Sequence, residues 1–459
     1  MSLKSLKSIN PATDEVLEGY AEMGAEEVER ILNESEVAFG EWKKSSFSRR
    51  AGLMKGAARV LRENNRAYAK LMALEMGKPL GEGLAEVEKC AWVCEYYAEN
   101  GEVFLADEEI ETDAYRSFVS YRPLGVVLAI MPWNFPFWQV FRFAAPNLMG
   151  GNTGVLKHAS NVPGCSMAIE EVFAKAGFPE NVFRSLMIGS GSVGAVIRNP
   201  VVRACTLTGS TEAGRVVAAA AGKEIKKTVL ELGGSDPYVV LKDADVGEAA
   251  RICAASRLIN SGQSCIAAKR FLVVRDVHDE FVAALAREMG LRKMGNPLEE
   301  GVSLGPLARK DLRDELHLQV ERSVEMGAKV LLGGKVDEGP GAFYPPTVLA
   351  NVRKGMPAFD EELFGPVAAV VCVANEGEAI ALANDTVFGL GAAVFTRDIE
   401  RGEKIAREEL DAGACFVNSF VKSDPRLPFG GVKWSGYGRE LGVQGIREFM
   451  NIKTVYVEK

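Results

Sequence analysis

Histidine is scarce in this chain of 459 residues, which has only His158, His278 and His317. None of its eight cysteines forms a CxxC pair. Structural zinc sites are built mainly from these two residue types at short spacings. We therefore expect no such metal site. We also expect the cysteines to stay free thiols, as they do in a reducing compartment.

Long apolar runs and a basic surplus are absent as well. The apolar run at 125–131 is far shorter than the roughly 20 residues that span a bilayer. The first residues lack a long apolar core, so we expect no secretory signal and a cytoplasmic protein. The net charge of −8 comes without a basic stripe, which argues against nucleic-acid binding. A small ligand held by local groups remains the expectation.

The chain does contain a regular alternation of amphipathic stretches and short apolar runs. Helical spacing of apolar residues covers 26–39 and 48–75. From residue 124 onward, short apolar strands alternate with helices, a pattern typical of parallel βαβ units. Because 459 residues are long for one core, we predict an α/β fold with two open lobes, the first of them Rossmann-like.

The two lobes are predicted to divide at a pair of glycines. The first lobe combines residues 1–104 with 124–232, and the second covers 233–430. Gly233 and Gly234 are expected to form the hinge, since glycine tolerates backbone angles that other residues avoid.

Cys265 has the setting of a nucleophile. It ends a polar, glycine-containing turn at 260–264, after a helix predicted over 246–259. A thiolate attacks carbonyl carbon readily, and a loop position allows backbone N–H groups to favour its charge. Most free cysteines are instead buried and inert. That interpretation is kept for the other seven, including Cys90 and Cys94.

Two further strings supply a carboxylate and an amide. Glu231 ends a predicted strand, where the carboxyl edge of a parallel sheet faces a ligand crevice. Partial desolvation there would raise its pKa toward that of a general base, and a salt bridge is the alternative role. Asn134 lies between Pro132 and Pro136, which stiffen its loop. Its side-chain amide can donate to an oxyanion or satisfy its own turn.

Two glycine-rich loops compete as phosphate-binding sites. The string GSGSVG at 189–194 matches GxGxxG, which normally requires an acid about 20 residues later. Glu212 lies near that distance but falls inside the next loop, so a standard Rossmann fingerprint is not predicted. That loop, GSTEAG at 209–214, opens a helix at Thr211. Ser210 and the free N–H groups there can hold a phosphate.

These strings, together with EELFGP at 361–366 and PFGGVK and SGYGRE near the C-terminus, resemble the NAD(P)-dependent aldehyde dehydrogenase family over nearly the whole chain. The resemblance implies that Cys265 attacks an aldehyde and that Asn134 stabilises the oxyanion of the thiohemiacetal. A hydride then passes to the cofactor. Glu231 activates water to release the acid from the thioester, and no metal takes part.

The same resemblance implies roles for whole segments. The first lobe would bind NAD(P), and the second would be catalytic. Stretches within 105–123 and 446–459 alternate side chains with period two, as ordinary edge strands also do. By resemblance they form a β arm that joins subunits into a homodimer or homotetramer.

The cofactor contacts are likewise carried over by resemblance. The residues concerned are Trp133, Lys157, Ser160, Gly209, Ser210, Gly214, Glu362 and Phe364. Lys157 would lie on the adenosine ribose, and three residues later many NAD-preferring members carry a glutamate where this chain has Ser160. A serine does not repel a 2′-phosphate and Lys157 attracts one. The hypothesis is that NADP is accepted, alongside or ahead of NAD.

Within the family, the pattern is most similar to succinate-semialdehyde dehydrogenases. In that branch an arginine nine residues after the tryptophan binds the substrate carboxylate, and Arg142 occupies this place. Arginine grips carboxylates in a two-pronged way, although a surface salt bridge is its alternative role. Ser423 matches an assisting serine. A second arginine of some members is replaced by Ile259, for which Arg426 and Lys422 are the candidates to compensate.

Three other functions stay open. An aromatic cluster could line an apolar pocket for medium-chain or aromatic aldehydes; its members are Phe135, Phe137, Trp138, Phe141 and Phe143. A non-redox binding module on the same fold is the second, although the joint presence of Cys265, Glu231 and Asn134 weighs against it. A cysteine hydrolase is the third, but no histidine is evidently paired with the thiol.

Overall fold

The fold is described from a computed structural model, which covers residues 5–336 and 338–459. The first four residues, on which the expectation about a secretory signal partly rests, lie outside the described residues. Two open sheets of mostly parallel strands dominate the architecture, and two small antiparallel sheets accompany them. The predicted α/β class with two open sheets is confirmed.

The strands are β1 Ser5–Ile9, β2 Val16–Ala21, β3 Glu108–Glu109, β4 Arg116–Pro123, β5 Val126–Met131, β6 Thr153–His158, β7 Phe183–Ser185, β8 Val202–Thr208, β9 Lys227–Glu231, β10 Asp236–Val240, β11 Ala268–Val274, β12 Lys329–Leu332, β13 Thr347–Ala350, β14 Val367–Val373, β15 Gly391–Phe395, β16 Ala414–Val417, β17 Gly436–Tyr437 and β18 Met450–Val457. The helices are α1 Ala25–Trp42, α2 Phe47–Glu63, α3 Asn65–Met76, α4 Leu80–Phe104, α5 Trp138–Met149, α6 Pro163–Lys175, α7 Val193–Arg198, α8 Thr211–Lys223, α9 Val246–Leu258, α10 Arg275–Gly290, α11 Lys310–Glu325, α12 Pro357–Asp360, α13 Glu376–Asn384, α14 Ile399–Lys404 and α15 Gly442–Arg447.

The six-stranded sheet has the order β17-β9-β8-β5-β6-β7. Its strands are parallel except β17, which pairs antiparallel with β9 at one edge. Alternate residues of β5 enter two different cores: Val127 and Ala129 pack among helices α2, α4 and α5, whereas Val126 and Leu128 pack with α1, α7 and α8. Burial on both faces explains why β5 is a continuous apolar run.

The seven-stranded sheet has the order β12-β13-β14-β11-β10-β15-β16, and only β12 pairs antiparallel. The same alternation holds here. Val239 of β10 and Leu272 of β11 face one core, while Tyr238 and Phe271 face the other. Both sheets are therefore covered on each side, and their carboxyl ends are the edges that remain open to a ligand.

The predicted arm strands pair with each other. β18 runs antiparallel to β4 over eight residue pairs, from Met450 opposite Pro123 to Val457 opposite Arg116, and β3 adds a short third strand. Several large apolar side chains of this small sheet and its loop are exposed, namely Ile110, Tyr115, Ile452, Tyr456 and Val457.

Three expectations need correction. The helix predicted over 48–75 divides at Asn64, whose side-chain amide donates to the Val60 carbonyl at 2.8 Å. Asparagine competes for backbone hydrogen bonds in this way, which shortens helices. The alternation from residue 124 onward also predicts a strand at 182–188, of which only Phe183–Ser185 forms.

The hinge glycines are the third correction. Neither Gly233 nor Gly234 has the positive φ that would require glycine. A Cβ atom on Gly233 would lie 2.4 Å from the Glu362 carboxylate, and one on Gly234 would lie 2.8 Å from the Cys265 carbonyl oxygen. These glycines permit close approach between the two sheets.

No helix among the described residues has the length and apolar character needed to cross a membrane.

Candidate active site

The carboxyl ends of neighbouring parallel strands bring the predicted residues to one edge of the six-stranded sheet. Lys157 at the end of β6 lies opposite Ile130 of β5, whose following loop carries Asn134. Glu231 at the end of β9 lies opposite Thr208 of β8. The strand order places these ends side by side, so residues far apart in sequence converge.

Cys265 reaches the same place from the other sheet, through the turn between α9 and β11. Asn260, Ser261 and Gly262 have φ values of 53°, 55° and 78° in succession. A Cβ atom on Gly262 would lie 2.3 Å from the carbonyl carbon of Gly365. The turn therefore requires glycine at this position, both for its left-handed backbone and for space.

Lys269 fixes the segment that carries the nucleophile. Its ammonium donates to the carbonyl oxygens of Ser264 at 3.0 Å and Cys265 at 2.8 Å. It also lies 3.3 Å from the Glu362 carboxylate. Burial raises the pKa of the Cys265 thiol to about 12, and the positive charges of Lys269 and Arg142 oppose this rise. No backbone N–H among the described residues bonds to the sulfur, so these cations are what favours its ionised form.

Asn134 is buried and held from two sides. Its side-chain amide donates to the Gln263 carbonyl at 3.0 Å, and its own carbonyl accepts from the Asn260 side chain at 2.7 Å. An N–H₂ group has two protons, so one remains for an oxyanion at Cys265. The loop after β5 and the nucleophile turn are thus bonded directly to each other.

His158 supports the Asn134 loop from below. Its Nδ1 accepts from the Ala159 N–H at 2.9 Å, so Nε2 carries the proton and donates to the Pro136 carbonyl at 2.9 Å. Burial lowers the pKa of His158 to about 4. The ring is therefore neutral at pH 7 and serves as a structural support.

Glu231 is completely buried, and neither carboxylate oxygen has a hydrogen-bond partner among the described residues. Burial raises its pKa well above the usual value, with a further contribution from the Glu440 carboxylate, and Arg142 opposes the rise. The group is thus protonated more easily than an ordinary glutamate. One carboxylate oxygen of Glu231 lies beside Gly430, and a Cβ atom added to Gly430 would lie 2.7 Å from this oxygen.

Two cavities meet at Cys265. A larger one of about 530 Å³ lies on the side of Trp133 and Glu362, and a smaller one of about 190 Å³ lies on the side of Arg142. Cys265 and Gln139 line both. Glu231 lines neither, although its neighbours Leu232 and Gly233 line the larger one. Cys265 therefore lies between two separate cavities.

The larger cavity suits a dinucleotide. Helix α8 begins at its wall, and Ser210 caps the helix by accepting from the Ala213 N–H at 3.2 Å. The remaining N–H groups of this first turn can meet a phosphate. At the other end, Phe364 makes an edge contact with Trp133 at 5.7 Å between ring centroids. Glu362 is held by Lys269 and by the Gly234 N–H at 3.1 Å.

Three predicted cofactor residues do not line this cavity. Gly214 packs helix α8 against β9, where an added Cβ would lie 2.6 Å from the Leu232 side chain. Lys157 and Ser160 lie beyond the cavity, at the end of β6. Lys157 is buried, which lowers its pKa, and Glu22 partly offsets this. Ser160 is exposed.

Arg142 lines the smaller cavity but is buried and already paired. Its guanidinium forms an ion pair with Glu440, stacks over the Phe429 ring at 4.7 Å, and lies 3.4 Å from the Thr208 hydroxyl. The alternative role in a surface salt bridge is therefore wrong in its location, since the salt bridge exists but is buried. Ser423 is also buried in this wall.

The predicted aromatic pocket forms only in part. Phe135 and Trp138 line the smaller cavity, whereas Phe137, Phe141 and Phe143 lie in the core that helix α5 shares with α2 and α4. Helix α5 is buried on every side, so most of its aromatic residues pack against protein.

The two candidates to replace the arginine missing at Ile259 fit poorly. Arg426 is exposed and pairs with Asp424 through two hydrogen bonds of 2.9 and 2.7 Å. Lys422 is exposed at the rim of the smaller cavity.

Sequence reasoning missed Lys89, Gln139, Lys269 and Glu440. Lys89 of helix α4 lines the smaller cavity and donates to the Ser423 hydroxyl at 2.8 Å. One signal was available: Glu82, Glu86 and Lys89 are spaced by four and three residues, so they share one face of an otherwise apolar helix. Their partners, however, come from distant segments.

The comparisons with known proteins agree with this geometry. The family model described as "Aldehyde dehydrogenase family" matches residues 1–455. A Synechocystis protein named "Probable succinate-semialdehyde dehydrogenase [NADP(+)]" is 48% identical over 453 residues, covering 99% of this chain and 100% of the relative. A Mycobacterium tuberculosis protein named "Succinate-semialdehyde dehydrogenase [NADP(+)] 1" is 47% identical, covering 98% of this chain and 99% of the relative.

A solved structure is similar throughout. The crystal structure of succinic semialdehyde dehydrogenase from Streptococcus pyogenes, in complex with NADP+, has a TM-score of 0.96 and 36% identity, covering 99% of this chain and 100% of that chain. The sequence strings, the two sheets and the matches over the full length lead to one conclusion: this chain belongs to the aldehyde dehydrogenase family.

Proposed function

We propose that this protein oxidises succinate semialdehyde to succinate with NADP+. The observation that carries the proposal is the position of Cys265, which lines both a dinucleotide-sized cavity and a smaller one whose wall includes Arg142 and Lys89. Relatives and a solved structure named for this activity support it.

In the first half of the reaction, Cys265 forms a bond to the aldehyde carbon. The carbonyl oxygen becomes an oxyanion, and the spare N–H of Asn134 donates to it. One such donor is typically worth about 3 kcal/mol in the transition state. A bound nicotinamide supplies the acceptor for the hydride that leaves the same carbon. The carbon is then held on Cys265 as a thioester.

In the second half, Glu231 takes a proton from water, which attacks the thioester and releases the acid and the thiol. A raised pKa suits this role, since a general base works best when its pKa is near the working pH. Because Glu231 lines neither cavity, its side chain would have to turn toward Cys265 to reach this water.

NADP+ as the cofactor is supported by charge. Lys157 has no ion-pair partner among the described residues, and Ser160 places no carboxylate near it. A 2′-phosphate would gain the attraction of Lys157 and meet no carboxylate at position 160, although Glu22 also acts on this lysine. Trp133, Glu362 and Phe364 would hold the nicotinamide end, and Gly209 and Ser210 would hold the phosphates.

A carboxylate-bearing substrate is supported by the smaller cavity. Arg142 and Ser423 are the residues first expected to bind the carboxylate, and both lie in its wall. A second candidate function is oxidation of uncharged medium-chain or aromatic aldehydes. Phe135, Trp138 and Phe429 give that wall apolar surface, which is the observation in its favour.

An aldehyde panel with both cofactors tests the proposal. Succinate semialdehyde with NADP+ is expected to give the highest kcat/KM. The reaction is measured by the absorbance of the reduced nicotinamide. Butanal and benzaldehyde are the uncharged controls. If they match succinate semialdehyde, the second function replaces the first, and if NAD+ alone is used, the assignment of the cofactor fails.

The roles of the larger units belong to the same proposal. Residues 1–104 and 124–232 would form the cofactor lobe and 233–430 the catalytic lobe. The sheet within 105–123 and 446–459 would join subunits of a homodimer or homotetramer. The expected location of the protein is the cytoplasm.

A further inference from the structure

The carboxylate of the proposed substrate needs a cation, and the buried cations of the smaller cavity differ in whether they are available. Arg142 is neutralised by its ion pair with Glu440. Both partners are buried, so separating them would leave a charge without a counterion at high cost. A substrate carboxylate that claimed Arg142 would have to displace or share Glu440.

Lys89 is in a different state. It lies in the wall of the same cavity, its ammonium bonds to the Ser423 hydroxyl at 2.8 Å, and it sits 4.3 Å above the Trp138 ring. Neither contact neutralises its charge. An ammonium has three donors, so at least one remains for a ligand.

The acidic side chains near Lys89 each have other partners, and Glu82 of the same cavity wall accepts from the Asn260 N–H at 2.7 Å. Glu86 pairs with Lys78 and also accepts from the N–H groups of Phe137 and Trp138, each at 2.9 Å. Asp424 pairs with Arg426 at 2.7 Å. Glu440 forms an ion pair with Arg142. Lys89 therefore has no ion-pair partner among the described residues, although the nearby carboxylates of Glu86 and Asp424 offset part of its charge. A partly buried ammonium in this state is stabilised when an anion binds beside it.

We propose that Lys89, together with Ser423, makes the primary ion pair with the substrate carboxylate, and that Arg142 contributes through Glu440 as a positioning residue. The inference rests on the proposed function and deepens it, since it names the group that selects an acid semialdehyde over an uncharged aldehyde. Lys89 would also stand in for the second arginine that some members carry where this chain has Ile259. Lys89 reaches the cavity from helix α4, 334 residues before its partner Ser423.

Lys89→Met tests this, because it removes the charge and keeps a long apolar side chain. We expect kcat/KM for succinate semialdehyde to fall about 10- to 100-fold, the range set by losing one hydrogen bond to a charged group. The value for butanal is expected to stay within about twofold. Lys89→Arg should restore part of the preference for the acid. Lys70→Met, an exposed lysine on helix α3, is the matched control.

A second measurement separates this inference from the proposed function. Succinate is used as a competitive inhibitor of butanal oxidation, so the result does not depend on succinate semialdehyde being the true substrate. Its inhibition constant should rise at least tenfold in Lys89→Met. An unchanged constant, or equal losses with both aldehydes, overturns the role of Lys89. A wild-type enzyme without preference for succinate semialdehyde overturns the proposed function instead.

Discussion

Glu231 is a buried carboxylate without hydrogen-bond partners among the described residues, and this gives a sharp prediction. The proposed first half of the reaction does not use this carboxylate, so in Glu231→Gln NADPH should appear as a burst of one equivalent per active site. The following steady-state rate should fall about 10²- to 10⁴-fold. Stopped-flow absorbance measures both phases, and a missing burst would show that Glu231 also acts before hydride transfer.

The pH dependence of the same residue follows from its raised pKa. The base works only when ionised. The steady-state rate should therefore climb with pH until the pKa of Glu231 is passed, at a higher pH than an ordinary glutamate would give. In Glu231→Gln this rise should disappear, which assigns the ionisation to the residue.

We expect Ser160 to influence the choice between cofactors. Ser160→Glu places a carboxylate near Lys157, where it can accept from ribose hydroxyls and repel a 2′-phosphate. We expect KM for NADP+ to rise about 10- to 100-fold, which corresponds to about 1.4 to 2.8 kcal/mol of electrostatic repulsion. KM for NAD+ should stay level or fall. Ser160→Ala is the control, and equal changes for the two cofactors would contradict the assignment.

At the scale of single residues, the sequence identified the candidate catalytic residues more readily than the residues that surround them. Cys265, Asn134 and Glu231 follow from local strings, because each lies in a short motif after a strand or helix. Lys89 and Glu440 do not, since their roles arise from contacts with residues hundreds of positions away.

The turn between α9 and β11 is the element that positions the nucleophile. Gly262 has a φ of 78°, and a Cβ atom added there would lie 2.3 Å from the Gly365 backbone. Gly262→Ala therefore has to move the turn, and a shift of about 1 Å at a reacting group costs roughly 10²-fold in rate. We expect kcat to fall at least that far and the melting temperature to drop.

Gly247→Ala is the matched control for this element. Gly247 lies in the first turn of α9, where the nearest atom to an added Cβ is 3.8 Å away. Alanine favours a helix over glycine by up to about 1 kcal/mol, so kcat should be unchanged and the melting temperature equal or higher. If both variants lose activity alike, the turn is not the sensitive element.

Element boundaries show where local patterns stop being informative. The helix predicted over 246–259 agrees with α9 within one residue. Asn64 broke the predicted 48–75 helix through a single side-chain bond to the backbone, which periodicity cannot reveal.

On the scale of the whole molecule, the alternation of strands and helices was enough to predict two open α/β sheets. It was not enough to predict that Cys265 would separate two cavities. That arrangement depends on how the sheets approach each other, with Gly233 and Gly234 allowing contact with Glu362 and the Cys265 segment. Glycine suggested a hinge, whereas the structure uses it for close packing.

The small sheet of β3, β4 and β18 gives a prediction for assembly. Its exposed apolar side chains, with Ile452 63% exposed, form the kind of surface that marks a protein interface. We expect the wild-type chain to sediment as a dimer or tetramer. Ile452→Glu would place a charge in that interface without disturbing a core, so it should shift sedimentation toward the monomer.

The control for assembly is a similar change on another surface. Val37 of helix α1 is 75% exposed, and Val37→Glu should leave sedimentation unchanged. Because the cofactor and substrate cavities are lined by residues outside the small sheet, a monomeric Ile452→Glu should still bind NADP+, which fluorescence titration measures. A wild-type chain that sediments as a monomer at micromolar concentration would rule out the arm as a subunit contact and leave β18 as an ordinary edge strand.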